Sequence, residues 1–294
     1  MLFGVQMFPT DYSIQPAEFA RAAEEREFES VFFPEHTHIP SGRETPWPSG
    51  EELPQEYAHC LSPVVAMASA ATATARIRIG TAICLVAQHD PIMLAKEIAS
   101  IDLISGGRVM LGAGAGWNRE EMLNHGVDPT TRMARMREHV EAMTAVWTEE
   151  EASYHGLFVD FAAIWSWPKP VQRPRPPVLI GGGGPGVLDR VLEYGDGWMP
   201  FRDGTDDWSS PAFASTAPEP FEEELSARIA ELQKKAAGQG RAPVPVTLFN
   251  AKAQPEALHR YAGAGITRCI FWLPSLPAQE LLPRLDRLAE LARG

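Results

Sequence analysis

The chain has 294 residues, of which 45% are hydrophobic, and its formal net charge is −12. This length suits one barrel-sized domain with insertions, so we expect residues 1–294 to form a single domain. The negative charge argues against a nucleic-acid partner, and three dispersed cysteines argue against a disulfide framework or a structural zinc site.

The chain begins with LFGVQMF, which predicts a strand and lacks the basic and apolar regions of a signal peptide. No apolar run approaches the roughly 18 residues that a membrane span needs. We therefore expect a soluble cytoplasmic protein with no membrane association.

Predicted strands and helices then alternate to the end of the chain. Strands are predicted at residues 3–8, 30–34, 76–85, 107–113, 178–181, 196–200, 244–250 and 267–273. Helices are predicted from residue 16, at 57–74, 91–104 and 132–147, up to residue 194, and at 221–237, 255–262 and 278–293. Eight such repeats predict an α/β fold, a (β/α)8 TIM barrel. A doubly wound open sheet is the alternative, but it more often carries GxGxxG after its first strand.

Three long segments interrupt this alternation. Residues 40–56 form a Pro/Gly/Ser-rich loop after the second strand, residues 149–177 predict a hairpin and an ordered loop, and residues 205–220 are rich in Ser and Pro. Long loops in compact domains are usually lids or binding walls. We place these inserted loops at the C-terminal face of the strands. We expect the tryptophans on them mainly to pack the loops, with the lining of an apolar substrate pocket as the alternative: Trp47, Trp165, Trp167 and Trp208.

The second strand ends in the sequence FFPEHTHIP, where Pro34 stops the ladder of hydrogen bonds. Glu35 and His36 therefore follow the carboxyl end of a strand, which is where α/β proteins bind ligands. His36 and His38 also have the HxH spacing of zinc ligands in hydrolase barrels. A metal-dependent hydrolase is thus an alternative, although the fifth strand ends in Gly182, which offers no side-chain ligand.

Two glycine-rich turns follow predicted strands. Residues 181–184, GGGG, precede a helix, so their N–H groups and the helix N-terminus favour a phosphate site, with a flexible turn as the alternative. Residues 112–116, GAGAG, either let a flat ring approach the backbone or permit close chain packing. The spacing of the second turn does not match the dinucleotide-binding fingerprint.

Four motifs in the same order resemble the bacterial-luciferase-like superfamily of flavin and deazaflavin oxidoreductases. They are FFPEHTHIP, IGTAICLVAQHDPIMLAKE, SGGRVMLGAGAGWNREE and PPVLIGGGGPGVLDRVLEYGDGW. The chain looks most similar to the branch that uses coenzyme F420. The resemblance implies a barrel with the cofactor across the carboxyl ends of its strands, and a homodimer.

The resemblance also implies roles for individual residues. His36 matches a histidine beside the deazaflavin ring and is the predicted catalytic residue. The predicted cofactor-binding residues are Glu35, His36, Ala82, Ile83, Ala115, Gly116, Glu120, Gly182, Gly183 and Gly184. Within this set, Ala82–Ile83 falls where the family often has a non-prolyl cis peptide, and Gly183 and Gly184 match its phosphate-binding loop. Trp117 is a departure, because sugar-phosphate dehydrogenases of the superfamily place a catalytic acid there.

The expected activity is hydride transfer between F420 and a small organic substrate. The cofactor would carry out the redox step, and His36 would act as acid, base or polarising donor. An FMN-dependent luciferase-like monooxygenase is the alternative with the same fold. A cofactor-binding protein without turnover is a further, weaker alternative.

Overall fold

A computed structural model describes residues 1–48, 52–202 and 220–293 of the chain. The strands are β1 Leu2–Gln6, β2 Ser30–Phe33, β3 Arg78–Thr81, β4 Val109–Ala113, β5 Ala152–His155, β6 Asp160–Ile164, β7 Val178–Gly181, β8 Gly197–Met199, β9 Thr247–Phe249 and β10 Arg268–Trp272. The helices are α1 Pro16–Glu25, α2 Glu56–His59, α3 Pro63–Ala73, α4 Pro91–Ser105, α5 Arg119–Asn124, α6 Arg132–Thr148, α7 Val187–Tyr194, α8 Pro220–Gly238, α9 Pro255–Gly263 and α10 Ala278–Arg293.

Eight of the strands form one parallel sheet that closes on itself. Their order is β8-β7-β4-β3-β2-β1-β10-β9. Parallel bridges between Trp198 and Val246, and between Phe201 and Phe249, join the two ends of the sheet. The predicted (β/α)8 barrel is confirmed, and β5 and β6 form the separate antiparallel hairpin predicted within residues 149–177. The predicted position of this segment at the C-terminal face was wrong, because it connects the end of α6 to the start of β7. Its Gln172 contacts Val109 and Arg78, the first residues of β4 and β3.

Side chains alternate between the inside and the outside of the barrel, as the strand period requires. In β2, Val31 and Phe33 belong to the large core between sheet and helices, whereas Phe32 belongs to a smaller cluster inside the barrel. The buried members of that inner cluster are Phe32, Ala82, Met110, Leu179, Met199 and Ile270. This inner cluster fills the inside of the barrel beneath the loops that follow the carboxyl ends of the strands.

The single helix predicted at residues 57–74 was wrong, because the chain forms two helices, α2 and α3. Between them Cys60 is extended and Ser62 is non-helical, and the Leu61 N–H donates to Pro9 O at 2.7 Å. Ser62 precedes Pro63, and a residue before proline avoids the helical region. Pro63 then begins α3, a position where its missing N–H costs nothing.

The third strand is shorter than the predicted 76–85. β3 ends at Thr81, and the chain rejoins the ladder only at a bridge between Cys84 and Ala113. The predicted loop at 205–220 and Trp208 lie outside the described residues, except that Pro220 begins α8. No helix in the described ranges is long and apolar enough to cross a bilayer.

Candidate functional site

A cavity of about 340 Å³ opens at the carboxyl ends of the barrel strands. Small residues and backbone line part of it, namely Ala82, Gly114, Ala115, Gly116, Gly181 and Gly182. Aromatic side chains line another part, namely Phe8, Trp47, Tyr57, Trp117, Phe201, Phe249 and Trp272. Glu35 and His36 also line the cavity, so the Glu-His pair lies at the edge where the sequence predicts a ligand site.

His36 is buried and is held by a carboxylate from helix α5. Its Nδ1 lies 2.7 Å from Oε2 of Glu121, which is fully buried on α5. The second oxygen of Glu121 accepts the Thr37 N–H at 3.1 Å. Because the carboxylate only accepts, Nδ1 carries the proton and Nε2 is the ring nitrogen left for a ligand. The two contacts fix both the tautomer and the orientation of the imidazole.

Glu121 is itself positioned by a helix cap. Asn118 precedes α5, and its side-chain oxygen accepts the Glu121 N–H at 3.2 Å. This N-cap fixes the first turn of the helix and thereby the direction of the carboxylate. The motif GAGAGWNREE thus supplies both the glycine turn and the partner of His36. Sequence reasoning chose Glu120 and missed Glu121.

Glu35 has its own partners and is only 4% exposed. Oε1 lies 2.7 Å from His89 Nε2, and Oε2 accepts the Leu85 N–H at 2.5 Å. Burial raises the pKa of Glu35, but the His89 contact and the Leu85 N–H outweigh burial and hold the pKa below its ordinary value. Burial likewise lowers the pKa of His89, while the Glu35 carboxylate raises it above the ordinary value of 6.5. The pair is therefore a buried carboxylate–imidazolium contact.

The Glu35–His89 contact ties together the loops after two neighbouring strands. Glu35 follows β2, and His89 follows β3, which pairs with β2 in parallel. The predicted strand order contained an indication of this contact, because the carboxyl ends of adjacent parallel strands meet at the same rim of the barrel. The spacing of Glu35 and His89 along the chain did not reveal their contact, since the two positions are 54 residues apart.

Glu35, His89 and Cys84 bring three potential metal-ligand atoms within 4.8 Å of one another. The carboxylate oxygens already accept from His89 and Leu85, so the group is packed as a hydrogen-bonded cluster. His36 and His38 do not join a metal-ligand cluster among the described residues. His38 instead contacts Thr37 and Asn124, and it does not line the cavity.

The backbone between Ala82 and Ile83 is cis, as the resemblance implies. Ile83 packs against the glycines of the neighbouring strands. A Cβ on Gly114 would lie 1.7 Å from Ile83 Cδ1, and one on Gly181 would lie 2.9 Å from Ile83 Cγ2. A Cβ on Gly112 would lie 2.1 Å from the Thr81 carbonyl oxygen. These glycines are therefore explained by close chain packing, the second of the two interpretations of the GAGAG turn.

The GGGG turn is open on its outer side. Among the described residues, a Cβ on Gly182 or Gly184 would meet nothing within 4 Å, and one on Gly183 would meet only Arg228 Nη1, at 3.7 Å. Arg228 donates to the Gly183 carbonyl, and its guanidinium lies 5.2 Å from the centroid of Trp198. Arg190 lies near the start of α7, and its Nη1 would be 3.2 Å from a Cβ added to Gly186. Two guanidinium groups thus border a glycine loop at a helix N-terminus.

Seven of the predicted site residues line the cavity: Glu35, His36, Ala82, Ile83, Ala115, Gly116 and Gly182. Gly183 and Gly184 continue the loop beyond its rim. Glu120 does not line the cavity, and its carboxylate accepts the N–H groups of Glu44 and Thr45. Trp47 lines the cavity, whereas Trp165 and Trp167 are 76% and 58% exposed elsewhere. The ligand roles of these residues stay predictions.

Comparison with known proteins places the chain in a family. The sequence profile of luciferase-like monooxygenases matches residues 14–249. An uncharacterised protein of Mycobacterium tuberculosis is 39% identical over 294 residues, which is 98% of each chain.

More distant relatives use two kinds of cofactor. An F420-dependent glucose-6-phosphate dehydrogenase of Kineococcus radiotolerans is 28% identical over 62% of this chain and 51% of its own length. An FMNH2-dependent dimethylsulfone monooxygenase of Pseudomonas putida is 29% identical over 58% of this chain and 43% of its own. Among solved structures, an F420-dependent secondary alcohol dehydrogenase with an F420-acetone adduct shares the fold, with a TM-score of 0.72, 18% identity and 99% and 97% coverage of the two chains.

Proposed function

Because the chain belongs to the luciferase-like monooxygenase family, we propose that it is an oxidoreductase that transfers a hydride between F420 and a small organic substrate. Relatives in this family depend on F420 or on FMN. The observation that carries the proposal is the buried His36–Glu121 pair at the cavity, with Nε2 of His36 left for a ligand.

The residues at the cavity fit a flat, tricyclic cofactor with a phosphate on its side chain. The backbone at Ala82–Ile83 and Ala115–Gly116 would support the ring, since few side-chain atoms project there. The Gly182 N–H already donates to the Met199 carbonyl at 3.1 Å. The N–H groups of Gly183 and Gly184, with Arg190 and Arg228 beside them, would hold the phosphate.

Unpaired amides beside the cavity support the same fit. Both amide atoms of Gln88 are buried without a hydrogen-bond partner among the described residues. Its Nε2 would be 3.4 Å from a Cβ added to Gly116, a residue that lines the cavity. Nδ2 of Asn118 is likewise buried and unpartnered within the described ranges. Buried amides of this kind normally have partners, and the polar edge of a bound ring would provide them.

When bound, F420 supplies the hydride chemistry that no side chain offers. His36 would donate or accept the accompanying proton at Nε2, while Glu121 holds the proton on Nδ1 and the orientation of the ring. Glu35 would not exchange protons with the ligand, because both its oxygens are engaged by Leu85 and His89. We assign Glu35 to holding the cavity wall and His36 to the chemistry.

The test separates cofactor binding from turnover. Titration of the apo-protein by fluorescence should show saturable binding of F420 and weaker binding of FMN. The reverse order would favour the FMN-dependent monooxygenase, for which the Pseudomonas relative is the precedent.

The His36→Ala variant should retain F420 binding and lose about 100-fold or more in turnover. His38→Ala is the matched control, since His38 lies two residues on and does not line the cavity. Full turnover in His36→Ala with unchanged cofactor affinity would refute the catalytic role.

We also propose that the protein is a homodimer, as the family resemblance implies. Helices α3 and α4 expose Val65, Met93, Leu103 and Ile104, each more than half exposed. Exposed apolar residues on packed helices are typical of interaction surfaces. Light scattering should give twice the chain mass for the wild type, and Ile104→Glu should shift it toward the monomer. Leu157→Glu, at an 83% exposed position on the hairpin loop, is the control.

A further inference from the structure

A continuous series of ring contacts runs along the cavity. It passes from Trp117 through His36, Tyr57 and Phe8 to Trp272 and Phe249. The successive ring centroids are 5.7, 5.2, 4.7, 5.7 and 5.6 Å apart. Such spacings are those of favourable aromatic pairs, so the rings form a preassembled apolar wall, here called the aromatic wall.

The aromatic wall has little charge to offer a ligand. Among the described residues that line the cavity, the ionisable acid and base are Glu35 and His36, and no Lys or Arg is present. Each is already held by a protein partner. Arg43 contacts the wall, but its guanidinium lies over the Trp117 ring at 5.5 Å and donates to the Thr45 carbonyl.

An anionic substrate would therefore lose its hydration against this wall without gaining a cation. Burying an unpaired charge is far more costly than burying a neutral group. A flat apolar molecule, by contrast, gains both area burial and ring contacts. The described cavity selects against sugar phosphates on this ground.

His36 adds one polar contact within the wall. Its ring lies against Tyr57 and Trp117, and Nε2 is the atom not engaged by Glu121. A single oxygen of a ligand would thus bind at Nε2, with apolar groups on either side. A carbonyl or hydroxyl oxygen suits this nitrogen as acceptor or donor.

We propose, resting on the function above, that the substrate is a neutral, mainly apolar ring compound with one carbonyl or hydroxyl oxygen. The aromatic wall binds its ring, and His36 Nε2 binds its oxygen. Because side chains of the protein form this binding site, binding of the compound can be measured in the absence of turnover.

Calorimetric titration of the full-length apo-protein with 1-indanone tests the proposal. This neutral bicyclic ketone should bind with saturation, and glucose 6-phosphate should not bind at the same concentrations. The Trp272→Ala variant should weaken 1-indanone binding about tenfold. Trp165→Ala is the matched control, because Trp165 is 76% exposed and does not line the cavity. Phe249→Leu is a milder second variant that should weaken binding in the same direction if Trp272→Ala fails to fold.

Saturable binding of glucose 6-phosphate, or equal 1-indanone affinity in the wild type and Phe249→Leu, would overturn the proposal. Parallel titrations with F420 and FMN distinguish a failure of the proposed function from a failure of the proposed substrate class. Binding of 1-indanone with neither cofactor bound would refute the proposed function and leave the substrate class standing. Cofactor binding without 1-indanone binding would refute the substrate class alone.

Discussion

Removing His89 should destabilise the protein by leaving a buried carboxylate without its charged partner. Glu35 is 4% exposed, and His89 Nε2 lies 2.7 Å from its Oε1. Breaking a buried ion pair costs about 3–5 kcal/mol, and losing a hydrogen bond to a charged group costs about 1.5–3 kcal/mol. The His89 side chain is 22% exposed, so water can reach the vacated position. We therefore expect His89→Ala to lower the free energy of unfolding by about 2–3 kcal/mol.

Urea unfolding at pH 6 measures this loss, and the chain provides a matched control. His155 and Asp160 form the same kind of pair at 2.6 Å, but their side chains are 69% and 73% exposed. His155→Ala should therefore change the free energy of unfolding by less than about 1 kcal/mol. Equal effects of the two substitutions would show that burial does not set the strength of the Glu35–His89 contact.

The same pair gives stability a defined pH dependence. The pKa of Glu35 is lowered on folding, so its contribution is present above the ordinary value of 4.5 and is lost as pH falls through the folded pKa. The pKa of His89 is raised, so its contribution is present below 6.5 and is lost as pH rises through the folded pKa. Cys84 and Glu97 also face the pair, and burial raises the pKa of each. Stability should decline above pH 6.5 more steeply in the wild type than in Glu35→Gln/His89→Ala; parallel curves would contradict the assignment.

Two further predictions concern packing and thiol reactivity. Gly112→Ala should lower stability by about 1–3 kcal/mol, because its Cβ would meet the Thr81 carbonyl. The control in thermal unfolding is Gly42→Ala, whose Cβ would meet no described residue within 4 Å. Equal unfolding midpoints of the two variants would refute the packing argument. Burial raises the pKa of Cys60 to about 11 and that of Cys269 to about 12, and it also raises the pKa of Cys84 well above its ordinary value. All three thiols should therefore react slowly with iodoacetamide at pH 8 and rapidly in urea. Fast labelling of the native protein would contradict this.

The sequence predicted the barrel because each repeat has its own local signals. Strands such as residues 30–34 and 178–181 are short apolar runs, and helices such as α4 begin with a capping Asp90 whose side chain accepts the Met93 N–H. The errors occurred where a local signal was given too little weight. Ser62-Pro63 separates α2 from α3, but the Ala-rich sequence favoured one continuous helix.

The candidate site was predictable in its location and less so in its contacts. The end of β2 identified Glu35 and His36, since a strand followed by Pro and polar residues indicates the ligand edge. Their partners Glu121 and His89 follow β4 and β3, which lie second and first from β2 in the folded sheet but are distant from it along the chain. Sequence patterns specify strand ends; which side chains meet there depends on loop geometry that no periodicity encodes.

The two acidic–histidine pairs at this rim have opposite chemical consequences. In one pair the carboxylate of Glu121 is the support and the His36 ring nitrogen Nε2 remains available. In the other, Glu35 is the buried group, and both its oxygens are consumed by His89 and Leu85. Of the two adjacent residues after β2, His36 is therefore available for proton chemistry, whereas Glu35 has a structural role. A Glu35→Gln variant should accordingly alter stability and cavity shape, whereas the proton chemistry should change only when His36 or Glu121 is replaced.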